Sequence, residues 1–176
     1  GIVVGSIFDI LIGTTLFTAI FNGFGPWNYP IFHYDSAKAV AQANYNGIQV
    51  GSVGFHFINL GEWILSACVL LLGVALFIVV IGHLFGLLFK QRLTVYVAII
   101  LVCTIGYVSA DMLPVALVPF NPFTYFDIPR VVNGELAFLF DSVLISYGVG
   151  IVCLLCASAI TVILSYFISA KIKKYS

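Results

Sequence analysis

Four long apolar runs occupy residues 2–21, 64–89, 93–118 and 136–170. None shows the strict ten-residue alternation of a transmembrane barrel strand. A helix rises ~1.5 Å per residue, so about 20 residues cross a ~30 Å hydrocarbon core. All four runs reach that length, and the second and fourth exceed it, which predicts tilt or projection beyond the lipid. Backbone polar groups in hydrocarbon must be paired within their own segment, so each run is expected to be a helix. The pattern predicts an all-α integral membrane protein, a single transmembrane domain over 1–176. Its four spans would form an antiparallel bundle.

Between the runs lie recognisable stops. Asn22-Gly23-Phe24-Gly25-Pro26 ends the first run with turn formers. Lys90-Gln91-Arg92 is so short that the second and third helices must form a hairpin. Pro114, Pro119 and Pro122 interrupt the end of the third run, and Asn133-Gly134-Glu135 precedes the fourth. Two long connections remain, 22–63 and 119–135. The first contains Pro26-Trp27-Asn28-Tyr29-Pro30 and then residues 36–44, a stretch suited to a short interfacial helix capped by Asp35 or Ser36. The second is rich in aromatic residues and proline.

Charge sets the expected orientation. Lys90, Arg92, Lys171, Lys173 and Lys174 fall on one side of a four-span arrangement, and only Lys38 and Arg130 on the other. Cytoplasmic loops carry the Lys and Arg excess, so both termini are expected in the cytoplasm and both long connections outside. Run 2–21 is longer than a signal-peptide core and contains Asp9, so it is read as a retained span.

Composition narrows the function classes. The chain is 62% hydrophobic and 8% charged, whereas soluble domains carry about 25% charged residues. Seven basic residues balance seven acidic ones, and no basic patch suggests nucleic acid. Phosphate-loop, G-x-S-x-G and H-E-x-x-H motifs are absent. No span carries a row of charges, and the halves show no obvious repeat.

A few residues are candidates for chemistry. Glu62, Asp111 and Asp141 fall near the outer ends of three spans, with His56 close to Glu62. A histidine with carboxylates suits a divalent metal or a proton relay. The plainer account is that these acids are hydrated, and that Glu62 and Asp141 favour helix N-termini. Asp9 lies within the first span, where an acid costs roughly 2.5–3.5 kcal/mol and should face protein or water. This makes it a candidate for an ion or proton path. Haem is disfavoured. His56 and His83 are 27 positions apart, about 40 Å along a helix, and His33 can meet His56 only through the outer loop. Cys153-Leu154-Leu155-Cys156 has redox-motif spacing but falls mid-span, so Cys68, Cys103, Cys153 and Cys156 are read as packing residues. Small residues spaced by four, as in Gly82 and Gly86, favour close helix packing.

Trp27, Tyr29, Phe32, Phe123 and Tyr125 are the expected interface residues. They would lie in a headgroup belt or against neighbouring subunits. The leading expectation is a small, non-catalytic accessory subunit of a larger membrane complex, with a respiratory or electron-transfer assembly as the specific case. Its partners would be membrane lipid and other membrane subunits. One rival is an oligomeric transporter or channel using Asp9 and the outer acids. The other is a membrane enzyme with a metal at His56, Glu62, Asp111 and Asp141.

Overall fold

The computed structural model describes residues 25–34, 55–110, 112–140 and 142–175. The expected first span (2–21), the interfacial helix at 36–44, and Asp9, Asp111 and Asp141 lie outside these residues. The described elements begin with a 3₁₀ turn at Gly25–Asn28 and strand β1 at Pro30–Tyr34. Strand β2 at Phe55–Asn59 follows, then helix α1 at Leu60–Leu88 and helix α2 at Arg92–Ala110. Two 3₁₀ turns at Val118–Phe120 and Pro122–Phe126 lead to short helices α3 (Ile128–Val132) and α4 (Glu135–Leu139). Helix α5 spans Tyr147–Tyr175.

Helices α1, α2 and α5 are each long and apolar enough to cross a membrane. The chain is thus largely helical with three membrane-spanning candidates among the described residues. A two-stranded antiparallel sheet replaces part of what the sequence suggested was loop.

Two helix boundaries depart from expectation, each for a local reason. Helix α2 stops at Ala110 and not at residue 118. Pro114 lacks an amide proton and disfavours helical geometry in the residue before it, so the chain turns instead. The Ser109 hydroxyl already donates to the Gly106 carbonyl at 2.9 Å inside the last turn. Helix α5 begins at Tyr147 and not at 136. The stretch before it is broken into α4 and a turn, where the Ser142 amide donates to the Ala137 carbonyl at 3.0 Å. Ser146 then starts α5. Its hydroxyl accepts from the Val149 amide at 3.3 Å, and its carbonyl accepts from the Gly150 amide at 2.9 Å. That is the job of an N-cap residue.

The spans pack through one stripe each. On α1 the buried residues are Leu70, Val74, Phe77 and Ile81, at three- and four-residue spacing. Such residues share a helix face. Helix α5 is the principal neighbour of α1, and Gly150, Leu154, Ser158 and Ser165 are its buried residues. Leu154 is fully buried, with its side chain 3.2 Å from the place a Cβ on Gly73 would take. Gly73 on α1 leaves room for the Leu154 side chain, the kind of close approach by which helices gain contact in lipid without a hydrophobic driving force. Helix α2 is held more lightly against α1, with Ile99 reaching Gly82.

Leu154→Ala removes the side chain that fills the α1–α5 seam. The expected cost is about 1–3 kcal/mol. That is below the usual Leu→Ala range because apolar transfer contributes little in lipid and the lost contacts dominate. Unfolding in mixed micelles measures it.

Candidate functional site

At one end of the spans, residues 112–140 fold into a cap whose core is continuous with that of α1 and α5. Val118, Tyr125, Val131, Val132, Leu136 and Ala137 are buried in it. Backbone and side-chain bonds tie the turns. The Thr124 hydroxyl donates to the Val118 carbonyl at 2.9 Å, and the Tyr125 hydroxyl donates to the Pro119 carbonyl at 2.6 Å. The Asn121 side chain accepts from the Phe123 amide at 3.2 Å. Close approaches fix the cap to the spans. The Tyr125 ring lies against Gly150 of α5 and the Phe123 ring against Gly106 of α2, where a Cβ would collide in each case. The Cys153 thiol adds a contact to the Phe120 carbonyl at 3.3 Å.

Charged residues on the cap are satisfied among themselves. Arg130 donates through Nε to Glu135 at 2.9 Å and lies 3.4 Å from Asp127, which also accepts from the Tyr107 hydroxyl at 3.4 Å. The hydrogen bond to Glu135 pushes the Arg130 pKa up against the effect of burial, so this group stays cationic. The network is partly exposed, so its contribution to stability is small.

Against the cap lies the ribbon of β1 and β2. Its register pairs Ile31 with Ile58, Phe32 with Phe57 and His33 with His56. Alternation puts successive side chains on opposite faces. One face carries Phe32, Tyr34 and Phe57, with Phe32–Tyr34 and Phe32–Phe57 ring centroids 4.8 and 6.2 Å apart. The other face carries Ile31, Ile58, His33 and His56, and the two imidazole centroids are 4.7 Å apart with planes tilted by 37°.

Three contacts dock the ribbon. The Tyr34 amide donates to the Asn133 carbonyl at 2.8 Å, the Leu60 amide donates to the Tyr29 carbonyl at 2.9 Å, and the Tyr34 ring stacks on Phe138 at 5.4 Å. The Trp27 ring fits against Gly61 at the start of α1.

The expected site residues separate into distinct places. His56 and Glu62 are both exposed. Among the described residues no group of three or more His, Cys, Asp or Glu side chains is arranged to hold a metal. The acids Asp111 and Asp141 of the suggested metal set, and Asp9 of the suggested ion path, fall outside the described residues. His83 is exposed on α1, far along the helix from His56. All four cysteines are free thiols.

Of the expected interface residues, Tyr29 and Phe32 are exposed, at 65% and 39%, and Trp27 is half-buried. Phe123 and Tyr125 differ from expectation. Phe123 packs with Phe77 and Phe126 at 5.6 and 5.4 Å, and Tyr125 is fully buried. The Tyr125 ring is enclosed, and the Phe123 ring is partly buried against the core. Sequence reasoning missed Phe57, which is 61% exposed beside Phe32. Its signal was the alternation in Phe55-His56-Phe57-Ile58-Asn59. No known family, curated protein or solved structure matches this chain.

Proposed function

We propose that this chain is a small, non-catalytic membrane subunit that presents its ribbon to a neighbouring subunit of a larger complex. A respiratory or electron-transfer complex is the kind of assembly expected. The observation that carries this reading is the exposed aromatic pair Phe32 and Phe57 on one face of a ribbon docked on the cap, with exposed Tyr29 just before β1. Aromatic side chains held rigidly at a surface offer large contact area at low entropic cost and are typical of interface centres.

The described spans support a structural role over a transport role. From Trp63 to Leu88, from Leu93 to Ala110 and from Tyr147 to Ala170 they carry no Asp, Glu, Lys or Arg. Hydroxyls on α5 are closed onto their own helix, Ser158 donating to Leu154, Thr161 to Ala157 and Ser165 to Thr161 at 2.7–2.8 Å.

Mild-detergent extraction followed by native mass spectrometry tests the proposal. The expected result is a fixed stoichiometry with different chains, lost in Phe57→Ser while membrane insertion and helical content persist. A lone monomer or homo-oligomer would overturn it. So would a complex indifferent to Phe57→Ser and Tyr29→Ser together.

A further inference from the structure

The histidine face of the ribbon holds two imidazoles directly opposite each other on adjacent strands. We propose that His33 and His56 together chelate a divalent transition-metal ion, with Cu²⁺ bound most tightly.

Geometry is the first argument. A metal–imidazole bond is ~2.0–2.1 Å, which puts each ring centroid about 3.2 Å from the metal. Two such ligands at roughly 90–100° around one ion have centroids about 4.5–4.9 Å apart. The observed separation is 4.7 Å, and the 37° tilt departs from a parallel stack. Nδ1 of His33 is buried, so the metal bond is assigned to Nε2. His56 is exposed, so an ion reaches the pair from solvent.

Preorganisation is the second argument. The strand pairing fixes the spacing of the two α-carbons. The Tyr34–Asn133 bond immediately follows His33, and the His33 ring rests 3.3 Å from the place a Cβ on Gly134 would take. Ligands held this way lose little entropy on binding a metal. Two neutral imidazoles suit copper, nickel and zinc, and copper(II) heads that series for nitrogen ligands. Among the described residues no third His, Cys, Asp or Glu side chain joins the pair.

The test uses the full chain in detergent micelles, titrated with Cu²⁺ and followed by electron paramagnetic resonance. The expected result is saturation at one equivalent with splitting from two nitrogens. His56→Gln, at an exposed position, should weaken binding at least tenfold and leave splitting from one nitrogen. His33→Gln should do the same, while His83→Gln should match the unaltered protein. Where His33→Gln alters the unfolding curve of the metal-free protein, His56→Gln decides. Two-nitrogen splitting or undiminished affinity in His56→Gln would overturn the proposal, as would copper uptake that does not saturate near one equivalent.

Discussion

Tyr125→Ala is expected to destabilise the protein by about 3–5 kcal/mol, the range for removing a fully buried aromatic side chain. Tyr125 is completely enclosed, and its ring is the piece that joins the cap to Gly150 of α5. Truncation leaves a cavity between parts of the chain that nothing else fills, and it deletes the 2.6 Å bond to the Pro119 carbonyl. Tyr125→Phe separates the two losses. It keeps the ring and leaves one buried carbonyl without its donor, a cost of about 1–3 kcal/mol. Denaturant unfolding in micelles, with helical content as the readout, measures both. Equal losses for the two variants would mean that the hydrogen bond, and not the ring, joins cap to span. Alkali offers a third measurement. Burial, reinforced by the neighbouring Cys153 thiol, pushes the Tyr125 phenol above its ordinary value. The folded state therefore holds this proton more tightly than the unfolded chain. Its contribution to stability is complete below the ordinary tyrosine pKa of ~10 and is lost as pH climbs above it. In Tyr125→Phe that alkaline loss should shrink.

Hydropathy made the spans legible, and its failures share one cause. A window average records how apolar a stretch is, and it is blind to what the stretch packs against. Leu136, Ala137 and Ile145 are as apolar as any span residue, yet they are buried within or beside the cap. Run 136–170 therefore looked continuous although the backbone breaks before Tyr147. Ser142 and Ser146 were the available signal, as polar capping residues inside an apolar run. The proline-rich stretch 119–130 misled in the opposite sense. Its aromatics suggested a surface, whereas Phe123 and Tyr125 fill a core that only the folded turns create. The ribbon was hardest to see. Residues 30–34 and 55–59 are each short, and their pairing joins segments about twenty positions apart, which no local pattern encodes. The meeting of His33 with His56 follows from that register alone. Each histidine was visible in the sequence, and their opposition was not.

Gly134→Val is expected to release the ribbon from the cap while leaving the spans in place. Gly134 joins α3 to α4 with φ +77°, a left-handed conformation that a β-branched residue adopts only under strain. Its α-carbon also faces the Tyr34 carbonyl so closely that any Cβ collides with backbone. Backbone cannot swing aside as a flexible side chain can, and moving Tyr34 breaks its 2.8 Å bond to the Asn133 carbonyl. Strain and overpacking together amount to about 3–5 kcal/mol. The cheapest escape is undocking of β1, because the α1–α5 seam makes no use of Gly134. Hydrogen exchange reads this directly. The Tyr34 amide should lose protection by two or more orders of magnitude, while amides of Leu70–Ile81 and Leu154–Ser165 keep theirs. Gly134→Asn separates the causes, since asparagine tolerates the left-handed region but still carries a Cβ. If both variants free the Tyr34 amide, the close approach decides; if only valine does, the dihedral decides. Unchanged protection at Tyr34 in both would show that Gly134 does not set the docking, and that the stack on Phe138 suffices to hold the ribbon.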